Sequence, residues 1–310
     1  MLTGRRMRCE SVMKYDLVTV GHIVLDDIRR DAQFRKGQIG GPCVYSCLSA
    51  RSLNARAGVI SKVGRDFGIR RMSWLREHGV SIASLEVVTS PTTCFRINYR
   101  NESRTMRVSS VCDPLAKDDF VSFPKTRAIH IGPVLGEVPV SIAHDLTTTD
   151  SIVALDPQGY VRQLARNGTV QRRKWRNMRL LRAIDVLKVS DDELSAIHPR
   201  AIGPNKIAKL GSNVVLWTRG ARGMVLWSRN EGTFEVPTYP VHARNPTGAG
   251  DALLGAFLVT WARTSDLLWS ASVGMSVASI LVERSRPLSF GGRKQVEKRA
   301  AAILQRAKRM

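Results

Sequence analysis

Asn245-Pro246-Thr247-Gly248-Ala249-Gly250-Asp251 runs directly into the apolar stretch Ala252–Trp261. A helix is expected over Gly248–Arg263, with Thr247 placed to start it and Gly248 and Gly250 letting the backbone bend and approach a ligand closely. Amides at a helix N-terminus make a ready anion site. In phosphoryl transfer, charge spreads over the oxygens of the moving group, and such amides would stabilise it. Asp251 falls in the first turn beside that site, where a carboxylate can take the proton of an attacking hydroxyl. The plainer alternative is that Asp251 only complements the helix dipole.

Four other elements of the same kind lie upstream. Gly40-Gly41-Pro42 opens a helix running to about Leu53. Val63-Gly64-Arg65-Asp66-Phe67-Gly68, Ser190-Asp191-Asp192-Glu193 and Thr218-Arg219-Gly220-Ala221-Arg222-Gly223 each follow a short apolar run. Those runs read as strands: Asp16–Val20, Gly58–Ser61, Ala128–Ile131, Ile152–Leu155, Val186–Val189 and Val214–Thr218. Helices are expected at Asp66–His78 and Leu267–Val282, and a hairpin from Met224–Trp227 and Thr233–Val236. Strands alternating with helices indicate an α/β fold around a central sheet. In such a fold, ligands bind outside the carboxyl ends of the strands, where these polar elements gather. The stretch from about Val24 to Lys36 and the paired runs Thr93–Tyr99 and Thr105–Val108 interrupt the alternation. They are expected to form a small separate sheet, a lid that excludes water.

The 310 residues are enough for a sizeable core, and 43% of them are apolar, which argues against disorder. No apolar run is long enough to span a bilayer, and Met1–Lys14 is basic without a signal-type apolar core, so a cytoplasmic location is expected. Five scattered cysteines without a Cys-x-x-Cys pair speak against zinc. The net charge of +22 raises the alternative of a nucleic-acid-binding protein. The basic residues, however, are spread along the chain, with clusters at Arg162–Arg182 and Arg293–Arg309, the second reading as a solvated terminal helix.

Taken in order, GGP…VGRDFG…SDDE…TRGARG…NPTGAGD resembles the ribokinase (PfkB) carbohydrate kinase family from about Tyr15 to Pro287. The resemblance implies a three-layer α/β/α ribokinase-like fold over residues 15–310 with a small β-sheet lid, residues 1–14 being a basic extension. It implies transfer of the γ-phosphate of ATP to an alcohol with Mg²⁺, Gly248, Ala249 and Gly250 forming the anion hole and Asp251 the base. Thr218, Gly220, Thr247, Gly248 and Gly250 would hold the nucleotide, and Glu193 would organise the magnesium. Asp26, Gly40, Gly41, Thr93 and Asp251 would hold the acceptor, and two copies could pair through the lid. Two departures stand out. Pro246 replaces the family's first acid in Asp-Thr-Gly-Ala-Gly-Asp, and Ser190 replaces the Asn of Asn-x-x-Glu.

Within the family, Val20–Asp26, Thr92–Tyr99, Gly132–Pro139 and Asp156–Arg162 resemble the archaeal branch that includes myo-inositol 3-kinase. Gln158 offers a donor and an acceptor, as a polyol needs, and Arg162 would share its face if that segment is helical. A small polyol or sugar, with myo-inositol first, is therefore the expected acceptor. The competing acceptors are a nucleoside, stacked on Phe95, Tyr99 or Tyr160, and 2-keto-3-deoxygluconate, met by Arg96, Arg104 or Arg107. A non-catalytic nucleic-acid-binding or regulatory protein on the same fold is the alternative of another class.

Overall fold

The computed structural model describes residues 14–310 except 31–32, 101–102, 199–202, 204–206 and 285–287. The basic extension expected over residues 1–14 thus lies outside the described residues but for Lys14, as does the side chain of Arg104. In chain order, the first half contains β1 (Tyr15–Val20), β2 (Val24–Arg30), β3 (Gln33–Gly40), α1 (Pro42–Ser52), β4 (Ala57–Gly64), α2 (Gly68–Glu77), β5 (Val80–Val88), β6 (Cys94–Arg100), β7 (Ser103–Ser110), β8 (Thr126–Ile131) and α3 (Val140–Leu146). The second half contains β9 (Ile152–Leu155), β10 (Arg162–Leu164), β11 (Val170–Arg172), α4 (Met178–Ala183), β12 (Val186–Ser190), α5 (Asp191–Ile197), β13 (Val214–Thr218), β14 (Met224–Ser228), β15 (Gly232–Val236), α6 (Ala249–Thr264), α7 (Leu267–Glu283), α8 (Arg293–Leu304) and β16 (Lys308–Arg309).

The main sheet has the order β16-β15-β14-β13-β12-β9-β8-β1-β4-β5. It is parallel from β13 to β5 and antiparallel from β13 to β16. The period of two sends neighbouring side chains to opposite faces. Leu17 joins a core with α1, α6, α7 and α8, whereas Val18 and Val20 join a second core with α3, α4 and α5. Two helical layers therefore enclose one sheet. Helices α6 and α7 lie deep in the first of them, which is why both are apolar on several faces.

The strands that break the alternation form their own sheet, β3-β2-β6-β7. Its inner face carries Val24, Phe95 and Ile97, packed on Val134 of the main body. The short hairpin β10–β11 extends this cover. Gly168 accepts from the Val108 N–H of β7 at 2.9 Å, and Arg107 bridges to Thr169.

Three expectations change. The helix placed at Asp66 begins with a 3-10 turn at Arg65–Phe67, and α2 starts only at Gly68. The terminal basic segment is not solvated throughout: Val296, Ala300 and Ile303 are buried, and the chain ends in β16 against β15. The segment of Gln158 and Arg162 is a 3-10 turn, Pro157–Gly159, followed by β10. Among the described residues, no helix is long and apolar enough to cross a membrane.

Candidate active site

A cleft of about 550 Å³ opens at the carboxyl ends of β9 and β12, under the small sheet. Its floor is the start of α6. Gly248 is left-handed, with φ of 76°. A methyl group there would come within 2.3 Å of the Tyr45 ring, and one on Gly250 within 2.8 Å of the Lys188 Nζ. Gly248 is thus closed to a side chain by packing and conformation, and Gly250 by the Lys188 ammonium alone. Gly248, not Thr247, is the N-cap, and no side chain caps this end. The Thr247 hydroxyl instead pairs with that of Tyr99 at 2.7 Å. Gly248, Ala249, Gly250 and Asp251 all border the cleft, and the first-turn amides of a helix lack intrahelical acceptors. The residues of the predicted anion hole thus lie together along the cleft, the Ala249 N–H donating to the Pro246 carbonyl at 3.3 Å.

Asp251 sits at the end of a polar relay. The Gln158 side-chain amide donates to its Oδ1 at 3.3 Å. Arg162 donates to the Gln158 Oε1 at 2.8 Å and to the Val134 carbonyl at 3.1 Å. The 3-10 turn leading into β10, rather than a shared helix face, brings Gln158 and Arg162 together. Burial pushes the Asp251 carboxyl up to about 7, with the neighbouring Asp156 adding to the rise and Lys188 and Arg162 opposing it. A carboxyl held near neutrality in a cleft suits a general base.

Two residues without a role in the sequence reading lie beneath it. The Lys188 ammonium, from the centre of β12, contacts the Asp156 Oδ2 at 2.7 Å and the Glu193 Oε2 at 3.7 Å. Asp156 is 0% exposed and Lys188 is 6% exposed. Burial works against the ammonium, but the carboxylates of Asp156, Glu193 and Asp251 outweigh it and raise its pKa. His130, Asp156 and Asp251 come close enough together to share a cation. The Lys188 ammonium already supplies a positive charge at that point. Burial, and then Lys188, depress the His130 imidazole to about 3, so it is neutral. A lysine inside an apolar strand, two residues before Ser190, was the available signal.

The end of the cleft where the acceptor was expected is lined by Asp26, Gly41, Tyr45, Phe95, Ile97, Met106 and Val134. Gly40 does not border the cleft but backs Asp26: a methyl group on it would lie 2.6 Å from the Asp26 Oδ2. Gly41, with φ of 89°, lies against the His22 carbonyl. Thr93 does not reach the cleft. It is 0% exposed, and its hydroxyl is engaged with the His22 Nδ1 and the Cys112 N–H. The loop had to be anchored, and Thr93 does that instead.

At the other end, Ser190 and Glu193 border the cleft and cap α5 reciprocally, Glu193 accepting from the Ser190 N–H at 2.7 Å. Arg172 of the hairpin pairs with Asp192 above them. Thr218 and Gly220 follow, at and beyond the end of β13. The Thr218 hydroxyl donates to the Val189 carbonyl at 3.3 Å, and the space around Gly220 is open. Neither borders the 550 Å³ cleft.

Known proteins share both sequence and architecture with this chain. The pattern of the pfkB family of carbohydrate kinases matches residues 10–289. An ATP-dependent 6-phosphofructokinase of Thermoanaerobacterium thermosaccharolyticum is 25% identical over 86% of this chain and 87% of its own length. A nucleoside kinase of Methanothermobacter thermautotrophicus is 23% identical over 86% and 89%. Among solved structures, a pyrophosphate-dependent kinase in the ribokinase family, complexed with a pyrophosphate analogue and myo-inositol, has a TM-score of 0.78 and 23% identity, covering 91% of this chain and 99% of its own. With the fold and the ordered motifs in agreement, this chain belongs to the pfkB family of carbohydrate kinases and is a phosphotransferase with an alcohol group as acceptor.

Proposed function

We propose that the chain transfers the γ-phosphate of ATP to a hydroxyl of a small neutral polyol or sugar, with myo-inositol the leading candidate. The observation that carries this reading is the meeting of Gln158 with Asp251 at 3.3 Å, in a cleft that Asp26 also borders. Two carboxylates and an amide suit several neutral hydroxyls, while Phe95, Ile97, Met106 and Val134 cover an apolar ring face. An anionic acceptor would meet Asp26 and Asp251, and the cations that line the cleft are engaged, Arg162 with Gln158 and the Val134 carbonyl, Arg172 with Asp192 and Lys188 with Asp156. The neighbour bound to myo-inositol supports the same choice.

In the reaction, the acceptor hydroxyl oxygen attacks the γ-phosphorus. The new P–O bond forms as the bond to the β-phosphate bridging oxygen breaks, ADP leaves, and the hydroxyl proton passes to an Asp251 carboxylate oxygen. The amides of Gly248–Gly250 meet the charge spread over the moving oxygens. Glu193 fits a magnesium partner: it borders the cleft, and magnesium is usually bound through one or two carboxylates and retained waters. When bound, the ion would neutralise phosphate charge. Thr218 and Gly220 would lie along the nucleotide beyond it.

A phosphotransfer screen over myo-inositol, hexoses, nucleosides and 2-keto-3-deoxygluconate, with ATP and pyrophosphate as donors, tests this. The expected result is preferred turnover of a neutral polyol with ATP. A nucleoside or sugar acid far outrunning every polyol would overturn the acceptor, and exclusive use of pyrophosphate would overturn the donor. Salt-sensitive nucleic-acid binding without phosphotransfer would favour the non-catalytic alternative.

A further inference from the structure

The small sheet does more than roof the cleft. Arg30 and Tyr99 are register partners on the parallel strands β2 and β6, and the Arg30 guanidinium lies over the Tyr99 ring at 4.5 Å. Both reach across to the turn that precedes α6. The Tyr99 hydroxyl meets the Thr247 Oγ1 at 2.7 Å, bridging residues 148 positions apart. Arg30 donates to the Arg244 carbonyl. On its other side the Val282 carbonyl takes the N–H groups of Arg244 and Asn245 in the same turn at 2.7 and 3.0 Å. Thr247 does not cap α6, so its hydroxyl is committed to the sheet rather than to the helix it precedes.

Strands β2 and β6 also present the acceptor wall, Asp26 on the first and Phe95 and Ile97 on the second. One sheet thus touches the acceptor with one part and the anion-hole turn with another. We propose that Tyr99 is a positioning residue that latches the acceptor sheet to Thr247, so that the anion hole is held in register only when that sheet is seated. The latch rests on the reading of Gly248–Gly250 as an anion hole. It adds a reason for Thr247 that capping does not supply. Because β2 and β6 are hydrogen-bonded neighbours over six residue pairs, acceptor contacts at Asp26 and Phe95 act on the same rigid body as Tyr99.

The test uses the full chain free of ligand. Amide hydrogen exchange is followed in residues 94–100 and 244–252 for wild type, Tyr99→Phe, Thr247→Val, the double variant and Thr247→Ser. Tyr99→Phe keeps the ring under Arg30 and removes only the hydroxyl. Loss of one neutral hydrogen bond should speed exchange about three- to tenfold in both segments. Thr247→Val should do the same, the double variant should add nothing further, and Thr247→Ser should match wild type. Exchange that rises in 94–100 while 244–252 stays unchanged in Tyr99→Phe overturns the latch, as do effects that multiply in the double variant. A kinetic arm uses ATP and myo-inositol: Tyr99→Phe should lower kcat by a similar factor with KM for ATP unchanged. An unchanged kcat overturns a role in catalysis. If wild type does not turn over myo-inositol, the polyol reading fails and the exchange data alone decide the latch.

Discussion

Replacing Lys188 by methionine keeps the shape of the side chain and removes the ammonium from beneath the anion hole. At 2.7 Å from Asp156 and an effective dielectric constant of about 20, the Coulomb attraction is roughly 6 kcal/mol. Taking two ions out of water costs several kcal/mol each, so the intact pair is close to neutral for folding. Breaking it is different, because Asp156 is fully buried and would be left as an uncompensated charge. That costs about 3–5 kcal/mol, a fall in Tm of roughly 5–8 °C for a chain of this size. Adding Asp156→Asn removes the orphaned charge while the Asn oxygen can still accept from the Gln158 N–H, now bonded at 3.1 Å. The double variant should therefore recover most of the lost Tm. Activity should not recover, because the ammonium beside Gly250 at the proposed anion hole would still be missing, although Asp251 would lose both the Asp156 charge that raises its pKa and the Lys188 charge that lowers it. Thermal denaturation and steady-state phosphotransfer on the four proteins decide this. A Lys188→Met variant melting within about 1 °C of wild type would refute the buried-charge reasoning, and a fully active double variant would refute any electrostatic role for Lys188 in the reaction.

Further outcomes are expected from the same geometry. Asp251→Asn should lower kcat by about 10²–10⁴-fold with ATP binding retained, as loss of a general base does; near wild-type turnover would remove Asp251 from that role. With the Asp251 carboxyl raised to about 7, the base form is present above that pH and lost below it, so kcat/KM of wild type should fall about tenfold per pH unit below about 7. A profile flat down to pH 5 would contradict it. Gly250→Val should abolish activity, because its Cβ would lie 2.8 Å from the Lys188 Nζ; assays of the folded variant check this. Gln158→Leu should raise KM for the polyol by about 1–3 kcal/mol in free energy and leave KM for ATP little changed, which separate titrations of the two substrates would show.

Elements built from local pattern were legible without coordinates. Ile152–Leu155 and Val214–Thr218 have the predicted bounds, α6 differs by one residue at each end, and α7 by one residue at its C-terminus. The edge strand β5 was not legible, because its half-exposed face dilutes the alternation. Nor was the hairpin β10–β11, whose strands are three residues long, basic and largely exposed.

The sequence by itself determined the α/β alternation, the glycine-rich helix start and the position of Asp251, because glycine placement, apolar periodicity and a first-turn carboxylate act within a few residues of one another. Only the tertiary structure decided what surrounds that carboxylate. Lys188 counts as a solvated charge until the main sheet desolvates it against Asp156. Thr247 reads as a cap until β6 brings Tyr99 to its hydroxyl. Thr93 reads as an acceptor contact until His22 and Cys112 enclose it. Each of these outcomes depends on a partner distant in the chain, and electrostatic and hydrogen-bond energies are set by the partner and its exclusion from water rather than by residue type.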